Sequence, residues 1–241
     1  MSTLKSNIIE PATGTTLTLG AAGDTLTLAS DSLQTNLYKD SGANTIFQSD
    51  GSGTLSNINS GITGGGPTLI STSAEASNSA SIEITSGIDS TYDSYMFHWV
   101  EMYPVTLGAA FGMQVSTDGG VTYATNVTST TSYLNIHYTD NSNVGPAQWA
   151  MLGNATSIVK ITQNCSSTAA NASSGFVTLY SPSSTYVKHF LGTFTGYHSN
   201  GGCVDFRSGG YFLTGNPINA IKFYFDSGNI TSGKIKMYGI V

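Results

Sequence analysis

The chain has 241 residues, of which 9% are charged and 39% hydrophobic, with 28 glycines and a net charge of −6. Eight scattered basic residues cannot neutralise a nucleic-acid backbone, and no apolar run approaches the ~18 residues of a membrane span, so neither nucleic acid nor membrane insertion is expected. Ordinary soluble domains carry roughly 25% charged residues; here hydroxyls and amides make the polar surface, and weak charge repulsion favours association.

In chain order, the opening Met1-Ser2-Thr3-Leu4-Lys5 lacks the apolar core of a signal peptide, so synthesis in a cytoplasm is expected. Thr16-Leu17-Thr18-Leu19 alternates as a short strand, Gly20 to Asp24 turns, and Thr25-Leu26-Thr27-Leu28 repeats the strand nine residues later. Leu33, Leu37 and Tyr38 follow, then Thr45-Ile46-Phe47 and the turn Asp50-Gly51-Ser52-Gly53. Such short strands cannot bury their own leucines and need stacked neighbours, from the same chain or from other copies. Residues 1–60 therefore read as a β shaft that anchors the chain and trimerises it.

Gly61-Ile62-Thr63-Gly64-Gly65-Gly66-Pro67 is a linker, because three glycines and a proline continue neither helix nor paired strand. Residues 68–241 read as a head of short strands, at 68–73, 79–85, 95–105, 111–116, 133–138, 157–162, 176–180, 186–195, 204–212, 218–225 and 234–241. Within 218–225, Ile221, Phe223 and Phe225 share one face. Within 234–241, Ile235 and Met237 oppose Lys234, Lys236 and Tyr238. Residues 96–105 are nearly continuously apolar and read as a central strand buried on both faces. No window shows a capped helical period. The expected fold class is all-β: a jelly-roll-like β-sandwich behind a short shaft.

Motifs for catalysis are missing. His98, His137, His189 and His198 show no metal-ligand spacing, and no nucleophile elbow, P-loop or Cys-x-x-Cys occurs. His98 and His189 sit in predicted strands and read as hydrogen-bonded structural residues. Glu83, Asp89, Asp93 and Glu101 could pair for glycoside cleavage by number alone. Ser116-Thr117-Asp118-Gly119-Gly120-Val121-Thr122-Tyr123 resembles an Asp-box hairpin turn, in which the carboxylate bonds turn amides and glycines take positive φ. Asp24, Asp50 and Asp118 lie in oxygen-rich turns of the kind calcium uses, though the turn reading suffices. No cofactor and no metal is expected. Cys165 and Cys203 are too few for a disulfide scaffold and read as free, buried thiols. Nine acids and no base lie between Lys39 and Lys160, while six of the eight bases lie in the last 82 residues. Scatter in a charge-poor chain accounts for this, the alternative being that the acidic and basic portions meet. Abundant Tyr and Asn suit sugar recognition by ring stacking and amide hydrogen bonds. The loop candidates are Tyr138, Asn141 and Asn143, and Tyr197, His198 and Asn200.

Four blocks carry a resemblance. Ser86-Gly87-Ile88-Asp89-Ser90-Thr91-Tyr92-Asp93-Ser94-Tyr95, Val115-Ser116-Thr117-Asp118-Gly119-Gly120, Ser184-Thr185-Tyr186-Val187-Lys188-His189-Phe190 and Ser232-Gly233-Lys234-Ile235-Lys236-Met237-Tyr238-Gly239-Ile240 resemble, in the same order, a domain of marine phage virion proteins, tail-fibre-like or capsid-associated. The opening Met1 to Asn7 also resembles the start of such fibre proteins. The resemblance implies a β-rich C-terminal domain on a virion appendage or capsid surface and no catalytic residues. The expectation is a virion structural protein, mounted on other virion proteins through residues 1–60 and trimeric, whose exposed head binds host-surface glycans. A decoration protein without receptor binding and a carbohydrate depolymerase are the alternatives.

Overall fold

The computed structural model describes residues 37–39, 42, 44–49, 52, 55–56, 58, 66–123, 128–138, 148–155 and 158–241, with 55–56, 128–138 and 148–155 described by their backbone alone. The chain divides into two compact units, Met1–Gly64 and Gly65–Val241, and the division falls inside 61–67.

In the first unit, β1 (Leu37–Lys39), β2 (Thr45–Ser49) and β3 (Leu55–Ser56) form an antiparallel sheet in that order. Tyr38 pairs with Phe47 across β1 and β2, and their rings stack with centroids 4.6 Å apart. The candidate strands at 16–19 and 25–28, together with Asp24 and Asp50, lie outside the described residues.

The second unit is built from two antiparallel sheets. The smaller combines β5 (Ile82–Ile84), β7 (Phe111–Ser116), β10 (Val159–Lys160) and β14 (Ala220–Phe225), in the order β10-β7-β14-β5. The larger contains β4 (Thr68–Thr72), β6 (Ser94–Pro104), β8 (Thr128–Tyr138) and β9 (Gln148–Ala155). To these it adds β11 (Ser173–Tyr180), β12 (Lys188–Tyr197), β13 (Cys203–Leu213) and β15 (Ile230–Ile240), in the order β4-β15-β6-β11-β12-β13-β8-β9. One 3-10 turn, Ala169–Asn171, is the helical element among the described residues. The all-β expectation therefore holds. The split is eight strands against four, where a jelly roll shares eight between its two sheets.

Alternation selects the buried faces. Tyr95, Phe97 and Trp99 of β6 are buried, as are Ile221, Phe223 and Phe225 of β14 and Ile235, Met237 and Gly239 of β15. The inner faces of the two sheets meet through these rings: Phe97 lies 5.4 Å from Phe223, and Trp99 meets Phe111 edge-on at 5.4 Å. Each such buried ring contributes roughly 1.5–3 kcal/mol by leaving water.

Three expectations are corrected. Strand β9 was not foreseen. Strand β6 is buried on one face only, because Val100 is 50% exposed and Met96 and His98 are half-buried: β6 is central in its sheet, but the smaller sheet covers one side. Finally, Cys165 is buried but Cys203 is exposed, although both are free as expected. Burial pushes the Cys165 thiol up to about 11.

Candidate functional site

Four of the six loop candidates, Tyr138, Tyr197, His198 and Asn200, gather at one end of the larger sheet. Cys203 pairs with Tyr197 on one side and with Tyr138 on the other, so the two tyrosine positions are second neighbours across β13. Tyr197 is half-buried and Asn200 exposed. His198 is buried, its backbone bridges to Cys165, and its Nδ1 accepts the Asn200 N–H at 3.1 Å. It therefore shapes the turn beneath Asn200. Asn141 and Asn143 lie outside the described residues.

Ser116–Tyr123 is a closed polar turn but not the hairpin expected, because β7 pairs with β10 and β14 while the next strand, β8, pairs with β13 and β9 in the larger sheet. Asp118 Oδ1 accepts the Ser116 hydroxyl at 2.6 Å and the Thr122 N–H at 2.9 Å, and Oδ2 bonds the Thr122 hydroxyl. Hydrogen bonds from Ser116 first, then Thr122, hold the Asp118 carboxyl down at about 2. Gly119 and Gly120 take φ of 75° and 90°, conformations that favour glycine. With its oxygens engaged by turn donors, Asp118 serves the fold. Among the described residues no three or more of His, Cys, Asp and Glu gather as a metal site.

A second location was not foreseen. A groove of about 490 Å³ opens on the outward face of β6 and β15, lined by Glu75, His98, Val100, Glu101, Tyr103, Ala169, Ser232, Lys234 and Lys236. Its volume is that of a small-ligand site, roughly 300–1,000 Å³. A β-bulge makes its floor. Between Val100 and Tyr103 strand β6 advances three residues while β15, from Ser232 to Lys234, advances two. On the other side β11 advances two, Ser173 to Gly175, against three from Trp99 to Met102. The extra residue breaks the in-out alternation, so Val100 and Glu101 are both exposed and Tyr103 is half-buried. Glu101 has φ of 57°, a left-handed conformation that costs a side-chain-bearing residue about 1–2 kcal/mol. The Glu101 N–H is donated to Ser174 Oγ at 3.2 Å, outside the ladder. Opposite the bulge, Gly233 with φ of 127° brings β15 against Met102, where a Cβ would stand 3.0 Å from the Met102 Cα.

Charges in the groove are arranged in two kinds. Glu75 is locked: its Oε1 accepts the Ser232 hydroxyl and the Gly233 N–H, each at 2.8 Å, and its Oε2 lies 3.4 Å from Lys234 Nζ. The Ser232 hydroxyl, then the Gly233 amide, lower the Glu75 pKa. This pair also joins the acidic middle of the chain to its basic end. By contrast, among the described residues the Glu101 carboxylate, the Lys236 ammonium, the His98 ring and the Tyr103 hydroxyl have no protein partner. His98 is thus a groove residue and not the hydrogen-bonded structural one expected.

The other candidates are dispersed. His189 is exposed and edge-on to Tyr211 at 6.2 Å. Glu83 meets the Tyr123 hydroxyl at 3.5 Å. Asp89 holds the Tyr95 hydroxyl at 3.1 Å. Of the four carboxylates named from sequence, Glu101 alone lines the groove. No protein-family model, no curated protein and no solved structure matches this chain.

Proposed function

We propose that the chain is a structural protein of a phage particle, fibre-like or capsid-decorating, whose second unit is an exposed head that binds host-surface glycans without cleaving them. The observation that carries the reading is the resemblance of the four blocks between Ser86 and Ile240, in order, to virion proteins of marine phages. A charge-poor, hydroxyl- and amide-rich, all-β chain suits that role. In this reading the chain is a homotrimer, residues 1–60 mount it on other virion proteins, and it acts in the virion.

Binding is favoured over cleavage by how the groove carboxylates are held. A glycosidase needs two carboxyls free to act on the scissile bond. Glu75, which shares the groove with Glu101, is engaged by the Ser232 hydroxyl, the Gly233 N–H and Lys234. A glycan array probed with the full chain tests the reading. Retention of host polysaccharide fragments, with their length unchanged after incubation, supports it. Shortened chains would make the protein a depolymerase. A particle-bound protein that retains no glycan would be a decoration protein only.

A further inference from the structure

Resting on the glycan-binding reading, we infer that the groove over the Glu101 bulge is the sugar site, and that it takes an uncharged sugar unit. Three observations point there.

The first is the backbone. A left-handed residue that is not glycine, inserted as a bulge and matched by both neighbouring strands, is retained against its conformational cost. Such strain is typically kept where a side chain must be aimed. Here it turns Val100 and Glu101 outward together and leaves Tyr103 at the groove.

The second is charge. The lining holds two lysines, Lys234 and Lys236, and two glutamates, Glu75 and Glu101, so its formal charge cancels. Lys234 and Glu75 already satisfy one another at 3.4 Å. A ligand carrying net charge would face one opposed charge for each attracting one, whereas an uncharged ligand meets no such penalty.

The third is the kind of group left over. Lys236 offers N–H donors, Glu101 offers acceptor oxygens, and His98 and the Tyr103 hydroxyl can do either. Vicinal sugar hydroxyls are donors and acceptors at once, and they match a ring of both kinds. The Tyr103 ring and the exposed Val100 side chain supply the apolar patch that a sugar face covers.

Glu101→Gly separates binding from folding, because glycine accepts the positive φ while the carboxylate is lost. The full chain is titrated, by calorimetry and ligand-observed NMR, with the methyl glycosides of glucose, mannose and galactose and with methyl glucuronide. The same protein is applied to a glycan array. The expected result is binding of at least one neutral glycoside, weaker binding of the glucuronide, and a loss of about tenfold or more in Glu101→Gly and in Lys236→Met. Lys222→Gln, outside the groove, should bind as the wild type does. Glycan binding that both groove variants leave intact would overturn this site while the glycan-binding reading stands. Preference for the glucuronide would overturn the uncharged-ligand assignment. Failure of every glycoside and every arrayed glycan would overturn the glycan-binding reading itself and the site with it.

Discussion

Gly175 offers a sharp test of how the larger sheet is packed. It lies in β11 between β6 and β12. A Cβ added there would stand 2.5 Å from the Thr193 carbonyl oxygen, 2.8 Å from Trp99 Cζ2 and 3.0 Å from Phe194 Cα. Two of these neighbours are backbone atoms of β12, held in register by the pairs from Ser174↔Thr195 to Leu179↔Phe190. The third belongs to a buried indole fixed against Phe111. None can swing aside as a surface side chain would. Forcing a methyl into such a site costs about 1–3 kcal/mol, and replacing glycine by alanine in a strand returns roughly 0.5–1 kcal/mol, so Gly175→Ala should lose about 1 kcal/mol net. With a urea dependence of about 2 kcal/mol per molar, the midpoint falls by roughly 0.5 M. Gly209→Ala in β13 is the matched control. Its Cβ would meet Leu191 Cδ1 at 3.5 Å and the Phe190 carbonyl at 3.7 Å, ordinary contacts. It should unfold at the wild-type midpoint or slightly above. The assay is urea unfolding of both variants followed by far-UV circular dichroism. Equal midpoints for the two variants would refute the packing described for β6, β11 and β12.

Other outcomes follow from the same geometry. Because its pKa is held at about 2 in the folded chain, below the ~3.9 of an unfolded aspartate, Asp118 stabilises the fold above about pH 4. That contribution is lost as pH falls toward 2, so Asp118→Asn should flatten the thermal stability profile between pH 5 and 2. A disulfide reagent at pH 8 should label Cys203 quickly and Cys165 only on unfolding, since Cys203 is exposed while Cys165 is buried and raised to about 11. Two thiols reacting at one fast rate would contradict this. Native mass spectrometry should give a species of three times 25.1 kDa for the full chain; a stable monomer at micromolar concentration would remove the trimer.

Much of the fold was legible because period-two alternation and glycine-rich turns are local signals. Phe111–Ser116 has the expected bounds, and Ala220–Phe225 buries the three residues assigned to its inner face. Strand β9 escaped because Gln-Trp-Ala-Met-Leu-Gly-Asn-Ala holds no β-branched residue and does not alternate. On β6, apolar character on both faces does not say what lies over them, and only one face is covered. The Asp118 turn was readable, since the Ser116 and Thr122 partners of its carboxylate lie within a few residues; that it leads from one sheet to the other, and is tied to Asn219, was not. The groove was not: Glu75 and Lys234 are 159 positions apart in the sequence, and pairing of β4 and β6 with β15 brings their segments together. The signals present were the polar break at Glu101 inside an apolar strand and the two lysines alternating on β15. The positive φ of Glu101 leaves no mark in composition.

The central claim is that this is a particle-borne protein. Quantitative mass spectrometry of purified particles, with gold-labelled antibodies against the second unit, tests it most directly. The account predicts a fixed copy number divisible by three and label on the outside of the particle. Recovery of the chain only in the soluble lysate, with unlabelled particles, would contradict it.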